Sequence, residues 1–341
     1  MKLILIGFGV VGQGFAQILR DKAAELLREE NFSAQIIGVA TASKGALYHA
    51  AGLELQSLLE AAQAGSFASY PEQDGLIRGL EVDEMIAAGD ADALVEMSPT
   101  NLETAQPALD FCRRALDAGL HLVLANKGPV ALDYAGLKSK ARAKGLQMRY
   151  EATVMAGTPT IQLAVDALAG CQILSARGIL NGTTNYILTR MEAGLSYDEA
   201  LSEAQALGYA ESDPSGDVEG WDAAGKVLIL ANALFGRSLA LDDLDVSGIT
   251  EITAADIAEA RAAGQRYKLI ASARPDGGAV KATRLPLDEP LAGVGGSTNA
   301  ISLKTDLMGD ITLIGAGAGP LETGCAILSD LLAIQRMPSA T

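Results

Sequence analysis

The feature that most constrains this chain is a glycine-rich turn close to its start. An apolar run, LILIG (3–7), leads into a turn of GxGxxG spacing made by Gly7, Phe8, Gly9, Val10, Val11 and Gly12. When such a turn joins a strand to a helix, the first glycine makes the turn, the second admits a pyrophosphate, and the third packs the helix on the strand. Amides at the helix N-terminus then bind the phosphates. The alternative is a tight turn that binds no ligand.

The first part of the chain alternates short apolar runs with helical patterns. Strands are predicted at 3–7, 34–40, 92–97 and 121–126, helices at 10–30, 105–118 and 132–144, and a helical region after the second strand. This alternation predicts βαβ units and a Rossmann-type, doubly wound parallel sheet within an α/β fold. The run LQMRYEATV (146–154) is predicted to be a strand that leaves this layer.

The second part of the chain has a different pattern, typical of an α+β domain. Helices are predicted at 160–170, 183–194, 197–207 and 218–235, and strands at 173–181, 279–287, 299–307 and 310–317. The last three strands alternate like antiparallel strands. A final helix at 322–335 is predicted to return to the first domain.

The composition limits the partners and the location. The chain has 341 residues, a formal net charge of −16 and a sequence pI near 4.6. Nucleic-acid binding needs a basic surface, so no such partner is expected. No window has the long apolar stretch of a transmembrane helix, so no membrane association is expected. Three widely spaced cysteines favour a reducing cytoplasm, and with only two histidines a zinc site is not expected.

The end of the second predicted strand bears on the choice of cofactor. NAD sites usually place Asp or Glu there, whereas this chain has Thr41, Ala42, Ser43 and Lys44. A hydroxyl and an ammonium group suit a 2′-phosphate, so NADP(H) is favoured over NAD(H). The alternative is that Lys44 is an ordinary solvated loop lysine.

Two further loops follow predicted strands of the first domain. Ser98 and Thr100 come after the strand at 92–97, and Lys127 comes after the strand at 121–126, before a Gly-Pro turn. Ligands of open α/β sheets lie beyond the carboxyl ends of the strands. We therefore expect these residues to face the cofactor, although a loop lysine can equally be a solvated one.

Charged residues also stand where an apolar helix begins. Asp222 and Lys226 are four residues apart and share one helical face, and VLILANALF follows them. A surface ion pair is the ordinary interpretation, but the apolar continuation indicates that the pair enters a core at a crevice. A crevice lysine can orient a carbonyl group and transfer a proton. Glu211 and Asp217, just upstream, are suited to a substrate amino group.

A third polar group lies at the start of the helix predicted at 183–194. Gly182, Thr183, Thr184 and Asn185 are a natural N-cap cluster. Capping alone explains one of them. Together with Asn181 they offer donors and acceptors for a small polar ligand.

These motifs together resemble the homoserine dehydrogenase family. The matching runs, in family order from Gly7 to about Asp330, are GFGVVG, ANKGPVAL, YEATVMAGTP, GILNGTTNYIL, LGYAESDPSGDVEGWDAAGK, PLAGVGGSTNAI and GAGAGPLET. The resemblance implies NAD(P)-dependent interconversion of L-homoserine and L-aspartate 4-semialdehyde in threonine, methionine and isoleucine biosynthesis. It implies an NAD(P)-binding domain over 1–150, completed by about 308–341, and a catalytic and dimerisation domain over 151–307. Family members of this type are homodimers.

The resemblance also implies roles for individual residues. The implied catalytic residues are Lys127, Lys226 and Asp222, and the implied substrate-binding residues are Glu211, Asp217, Gly182 and Thr183. The implied cofactor-binding residues are Gly7, Phe8, Gly9, Val10, Val11, Gly12, Ser43, Lys44, Ser98, Thr100, Lys127 and Gly319. The carbonyl groups of Glu151, Val154, Ala156 and Thr158 match the family's site for a monovalent cation, Na⁺ or K⁺.

Some features depart from the family's commonest pattern, and two other functions compete. The loop SPTN (98–101) matches only in part, Met155 replaces a smaller residue, and the chain ends at Thr341, so neither an ACT domain nor an aspartate kinase portion is expected. An aspartate semialdehyde dehydrogenase would need a reactive cysteine, and Cys171 has no histidine partner in view. A non-catalytic dinucleotide sensor is the second alternative, which the lysines and carboxylates disfavour.

Overall fold

The computed structural model describes residues 1–337 of the chain. The chain divides into two compact units, Met1–Gly157 with the segment that begins at Gly319, and Thr158–Ala318. No helix in the described residues combines the length and apolarity needed to cross a membrane. One domain with a mostly parallel sheet and a second domain with its own sheet confirm the expected α/β fold class.

Residues 1–337 contain thirteen strands, which build two sheets. They are β1 (Lys2–Ile6), β2 (Gln35–Thr41), β3 (Gly45–Tyr48), β4 (Ile77–Arg78), β5 (Ala93–Glu96), β6 (His121–Leu124), β7 (Met148–Arg149), β8 (Ile173–Ile179), β9 (Asp245–Val246), β10 (Gln265–Arg274), β11 (Gly277–Pro286), β12 (Thr298–Thr305) and β13 (Asp310–Ala316).

The helices follow in chain order. They are α1 (Val10–Asp21), α2 (Ala23–Glu30), α3 (Leu55–Gln63), α4 (Val82–Ala87), α5 (Ala108–Asp117), α6 (Lys127–Ala143), α7 (Thr160–Gln162), α8 (Gly182–Glu192), α9 (Tyr197–Ala206), α10 (Ser215–Val218), α11 (Trp221–Phe235), α12 (Ala254–Ala262) and α13 (Pro320–Gln335). A π-helical turn, Leu163–Ala167, continues α7, and short 3-10 turns occur at Phe67–Ser69, Glu151–Thr153, Leu241–Asp243 and Pro290–Gly293.

The sheet of the first unit has seven strands in the order β4-β3-β2-β1-β5-β6-β7. Strands β2, β1, β5, β6 and β7 run parallel, and β3 and β4 add an antiparallel edge. The parallel strands β1 and β5 are almost wholly buried, as continuous apolar runs predict. The carboxyl ends of β1, β2, β5 and β6 therefore carry the glycine turn and the loops chosen from the sequence.

The last helix packs on the first one, which confirms the predicted return of the chain to the first domain. Gly14 of α1 and Gly324 of α13 allow this approach, because a Cβ on Gly324 would lie 2.8 Å from the amide nitrogen of Phe15. The predicted completion of this domain at about 308–341 differs at its start, since β13 belongs to the second unit. Its end, 338–341, lies outside the described residues.

The sheet of the second unit has six strands in the order β13-β12-β8-β10-β11-β9. All neighbours are antiparallel except β11 and β9. Helix α11 packs on β10 and β11, and α8 packs on β10 and β12. Helix α11 is buried along Ala223–Asn232, which places the charged residues of its first turns at the border of this core.

Several predicted boundaries were wrong, for identifiable reasons. The helix predicted at 10–30 breaks at Lys22, and the helical region after β2 contains the short hairpin strands β3 and β4. Only Met148–Arg149 of the predicted strand at 146–154 is extended. Within α6, Asp133 has non-helical backbone angles (φ −140°, ψ 39°), so the helix predicted at 132–144 corresponds to the part after this kink. The part before the kink, which begins at Lys127 after the Asn126 cap, was missed, and a proline is tolerated in its first turn. The long strand β10 and helix α12 were missed.

Candidate active site

The glycine turn has the geometry of a phosphate-binding turn. Gly7 has φ +89°, and a Cβ there would lie 2.6 Å from the carbonyl carbon of Met97. At Gly9 a Cβ would meet nothing within 4 Å, so this amide face is open to a ligand. At Gly12 a Cβ would lie 3.1 Å from the carbonyl oxygen of Gly7, which is the close helix–strand contact expected. The turn fits a dinucleotide, with Val10 67% exposed at the helix start.

The end of β2 turns directly into β3. The amide of Lys44 donates to Oγ1 of Thr41 at 2.8 Å, and that hydroxyl donates to the carbonyl of Gly45 at 3.2 Å. Ser43 is exposed and Lys44 is half-buried at this hairpin. The hairpin, Thr41 to Gly45, carries no carboxylate.

The loops after β5 and β6 are tied together by hydrogen bonds. Nδ2 of Asn126 donates to Oγ of Ser98 at 3.2 Å, and the amide of Lys127 donates to Oγ1 of Thr100 at 3.3 Å. Oδ1 of Asn126 accepts from the amide of Gly128 at 2.9 Å and so caps α6. Lys127 therefore stands in the first turn of a capped helix and is half-buried. The backbone of Lys127 is therefore fixed more firmly by the helix than it would be in the loop expected from sequence.

In the second unit, Lys226 is held at the base of a polar cluster. Its ammonium group donates to the carbonyl of Leu180 at 2.6 Å and to Oδ2 of Asp222 at 2.7 Å. Lys226 is 8% exposed, so the predicted Asp222–Lys226 pair exists and is nearly buried. The pair is therefore more than a surface ion pair.

Asn181 links this pair to a second carboxylate. Its Nδ2 donates to Oδ1 of Asp217 at 2.6 Å and to Oδ2 of Asp222 at 3.0 Å. Its Oδ1 accepts from the amide of Thr184 at 2.9 Å, which caps α8. Burial raises the pKa of Asp217; Asn181 and Lys226 oppose this shift, and the charge of Asp222 adds to it. Two carboxylates, an amide and one ammonium group thus meet at the start of two helices.

The remaining predicted substrate residues lie around this cluster. Oγ1 of Thr183 donates to the carbonyl of Tyr209 at 2.7 Å. A Cβ on Gly182 would lie 2.6 Å from the carbonyl oxygen of Ser297, so only glycine fits there. Glu211 is exposed, and its carbonyl accepts from Nε2 of Gln205 at 3.0 Å. The hydrogen bonds of the cluster do not include the Glu211 carboxylate.

Asn181 is the site residue that sequence reasoning undervalued. From sequence, Asn181 is expected only to support the N-cap cluster at 182–185. Its position before a GTT run signals an N-cap, but nothing local shows that the same side chain bridges Asp217 and Asp222. Those partners are 36 and 41 residues away.

The residues matched to a cation site lie in one buried segment and its continuation. Glu151, Val154 and Ala156 are buried, and Ala156 has φ +46°, a left-handed backbone that is rare outside glycine. The carbonyl of Thr158 accepts from the amide of Thr160 at 2.7 Å. Among residues 1–337 no three His, Cys, Asp or Glu side chains form a metal-binding group. A cation here would therefore need main-chain carbonyl oxygens, which suit a hard monovalent ion.

The cysteines give no support to the thiol-based alternative. Cys112 is wholly buried, and burial raises its pKa well above the ordinary value. A nucleophilic cysteine requires a stabilised thiolate. Cys171 is half-buried and Cys325 is exposed, and all three thiols are free.

Comparisons with known proteins agree over the whole chain. The family model described as Homoserine dehydrogenase matches residues 159–332, and the one described as Homoserine dehydrogenase, NAD binding domain matches residues 7–151. The chain is 42% identical over 341 residues to the NAD(+)-dependent homoserine dehydrogenase of Pseudomonas canavaninivorans, covering 98% of this chain and 96% of that one. It is 41% identical over 336 residues to the homoserine dehydrogenase of Methanocaldococcus jannaschii, covering 98% of each.

A solved structure shares the fold. A hyperthermophilic archaeal homoserine dehydrogenase in complex with NADPH superposes with a TM-score of 0.85 at 28% identity, covering 100% of this chain and 99% of that one.

Proposed function

The chain belongs to the homoserine dehydrogenase family, and from that premise we propose how its residues divide the reaction. The chain is an NAD(P)-dependent oxidoreductase that interconverts L-homoserine and L-aspartate 4-semialdehyde, a step of amino-acid biosynthesis. The observation that carries the assignment of residues is the cluster of Lys226, Asp222, Asn181 and Asp217 at the starts of α8 and α11.

Lys226 is assigned to the reacting oxygen. An ammonium group has three protons, and two of those of Lys226 are used on Leu180 and Asp222. The third is available to the hydroxyl or carbonyl oxygen of the substrate. Asp222 orients the lysine, because its Oδ2 lies 2.7 Å from the ammonium nitrogen.

The amino-acid end of the substrate is assigned to the carboxylates and the helix start. Asp217 and Glu211 would bind the ammonium group of homoserine, with Gly182 and Thr183 lining the same pocket. The support is charge complementarity: the carboxylates of Asp217 and Asp222 both lie around Nδ2 of Asn181, and such a pair of carboxylates suits a cationic substrate group.

During oxidation the carbinol carbon loses a hydride and its hydroxyl loses a proton. Bound NAD(P)⁺ supplies the hydride acceptor. Lys226 and Lys127 stabilise charge on the oxygen. In the reduction direction one of them, as an ammonium group, donates a proton to that oxygen, and in the oxidation direction the same lysine takes the proton back as the neutral amine. Gly319, which begins α13 with φ +141°, is assigned to the nicotinamide end of the cofactor.

Two lysine variants test this assignment. Lys226→Met and Lys127→Met should each lower kcat for L-homoserine by about 100-fold or more, since general acid–base and electrostatic roles contribute that much. NAD(P)H formation is measured, with the exposed Lys304→Met as the matched control. Near-wild-type turnover in both variants would contradict the assignment.

We infer that NADP(H) is preferred over NAD(H). The support is the β2–β3 hairpin with Ser43 and Lys44 and no carboxylate. The named relatives differ, because one is NAD(+)-dependent and another was solved with NADPH. Lys44→Ala should raise KM for NADP⁺ by about tenfold and leave KM for NAD⁺ unchanged, since a charged contact to phosphate contributes on the order of 1.5–3 kcal/mol. Equal effects on both would refute the preference.

We also infer a monovalent cation, Na⁺ or K⁺, on the carbonyl oxygens of Glu151, Val154, Ala156 and Thr158. The left-handed backbone at Ala156 supports it. Thermal unfolding in sodium, potassium and choline chloride at equal ionic strength should show a higher Tm with one metal ion.

Finally, we infer a cytoplasmic homodimer joined through the second unit. Strand β13 is the edge of its sheet, and Ile314 on that strand is 58% exposed. Leu307 and Met308, in the turn between β12 and β13, are also exposed. Edge strands of this kind pair readily with a second chain. The three free thiols suit a reducing compartment.

A further inference from the structure

Glu96 is a buried carboxyl group that the assignments above leave unused. It is the last residue of β5 and is fully buried. Its Oε1 accepts from the amide of Ser98 at 3.0 Å, whereas its Oε2 is buried with no hydrogen-bond partner among residues 1–337. A buried carboxyl group with an unpaired oxygen lowers stability. Stability therefore does not account for a carboxyl group at this position beside the cofactor loops.

Glu96 also binds the neighbouring loop through its main chain. Its carbonyl oxygen accepts from the amides of Ala125 at 2.9 Å and Asn126 at 3.3 Å. Asn126 in turn donates to Oγ of Ser98 and caps α6 through Gly128. Glu96 thus contacts both loops. Its side chain accepts a hydrogen bond from the loop after β5, and its main-chain carbonyl accepts hydrogen bonds from the loop after β6.

The same loops touch the glycine turn and Lys127. A Cβ on Gly7 would lie 2.6 Å from the carbonyl of Met97, the residue between Glu96 and Ser98. The amide of Lys127 donates to Oγ1 of Thr100 in the Ser98 loop. A displacement of the Ser98 amide would therefore disturb the turn assigned to the diphosphate and the helix end that carries Lys127.

We propose that Glu96 is a positioning residue of the hydride-transfer site, whose carboxyl group holds the Ser98 amide so that the cofactor loops and Lys127 keep their places. The proposal rests on the proposed function of those loops. Burial raises the pKa of Glu96, while Ser98 and Asn126 oppose that shift. A glutamine has nearly the same shape and keeps an oxygen that can accept from the Ser98 amide, so it should replace the acid.

Three variants and one control test the role. Glu96→Gln keeps an acceptor for Ser98, whereas Glu96→Ala removes it and Glu96→Leu removes it while filling the space. Asp92→Asn, at the opposite end of β5 where Oδ2 of Asp92 accepts from the amide of Lys2 at 2.6 Å, is the matched control. Steady-state constants for NADP⁺ and L-homoserine, NADPH titration and the Tm of the unliganded protein are measured for each.

Glu96→Ala, or Glu96→Leu if the alanine variant does not fold, should raise KM for NADP⁺ and lower kcat, each by about 10- to 100-fold, as misplacement of reacting groups by ~1 Å does. KM for L-homoserine should change little. Glu96→Gln should stay within about threefold of the wild type, and so should Asp92→Asn.

Four outcomes decide between the possibilities. The pattern just described supports the positioning role. A lower Tm with unchanged kcat and KM would show a merely structural residue and overturn it, and so would a glutamine variant as impaired as the alanine variant. If the wild type neither binds NADPH nor oxidises homoserine, the proposed function itself fails, and that result is distinct from a failure of Glu96 alone.

Discussion

A buried lysine of the second unit should make a contribution to the free energy of unfolding that rises in alkaline solution. Lys268 on β10 is 1% exposed, and its ammonium group donates to the carbonyl of Val294 at 2.7 Å and to Oδ1 of Asn185 at 3.0 Å. Burial lowers the pKa of Lys268 from 10.5 to about 8; the charge of Glu192 opposes this shift and that of Arg266 adds to it. The perturbation is a change of pH from about 7 to about 11.

The sign follows from the protons that each state binds. Between about pH 8 and pH 10.5 the unfolded chain holds a proton on Lys268 that the native chain has lost. The contribution of Lys268 to the free energy of unfolding therefore increases with pH across this window. The fall in pKa from 10.5 to about 8 corresponds to an upper limit of about 3 kcal/mol, at ~1.4 kcal/mol per pH unit. Below pH 8 the buried charge lowers stability by that amount.

Urea unfolding of the wild type and of Lys268→Met isolates the effect. The methionine variant loses two hydrogen bonds, a loss of about 1–3 kcal/mol that does not vary with pH. The difference in unfolding free energy between the two proteins should increase by up to about 3 kcal/mol from pH 8 to pH 10.5. Lys304→Met, on an exposed position of β12, should track the wild type. A difference that stays flat would refute a buried ammonium group at Lys268.

Three further predictions concern the site and the assembly. Gly9→Ala should weaken NADPH binding by about tenfold or more. The Tm of the unliganded protein should not change, because the added Cβ would meet nothing within 4 Å. Gly170→Ala, where an added Cβ also meets nothing within 4 Å, is the control for binding. Because burial raises the pKa of Asp217, the acid limb of kcat/KM for homoserine should lie above the ordinary carboxylate range and disappear in Asp217→Asn, whereas an unchanged limb would exclude Asp217. Ile314→Asp should give monomers in analytical ultracentrifugation, and an unaltered dimer would contradict the edge-strand interface.

The sequence predicted the buried parallel strands well because burial on both faces leaves continuous apolar runs. LILI of β1 and ALV of β5 are of this kind, and both are wholly buried. The strands it missed lack that signal. Strand β3 is four residues long within a hairpin, and β10 interrupts its apolar residues with Arg266 and Lys268. Such strands form because they pair with neighbouring strands of the sheet, and the local sequence pattern does not reveal that pairing.

Some contacts of the candidate site could likewise be predicted from local sequence, and others could not. The pairing of Asp222 with Lys226 could be predicted because residues four apart on a helix are neighbours. The assignment of Asn181 to both aspartates could not, because it depends on how α8 and α10 meet after folding. The functional role of Lys127 stays a prediction from sequence, and its place in the first turn of α6 follows from the Asn126 cap.

The charged residues that interrupt apolar runs show what a sequence can and cannot signal. Glu96, Lys226 and Lys268 each stand where the surrounding pattern demands burial, and the structure buries all three. Burying such groups lowers stability unless they are paired, and their partners here are chiefly main-chain groups at loop and helix ends. A charge that is buried to hold a main-chain group fixes the position of a loop more strictly than an apolar contact can, because hydrogen bonds are directional. A charged residue within an apolar run can therefore be recognised from the sequence, whereas the loop whose main chain it binds is known only from the fold.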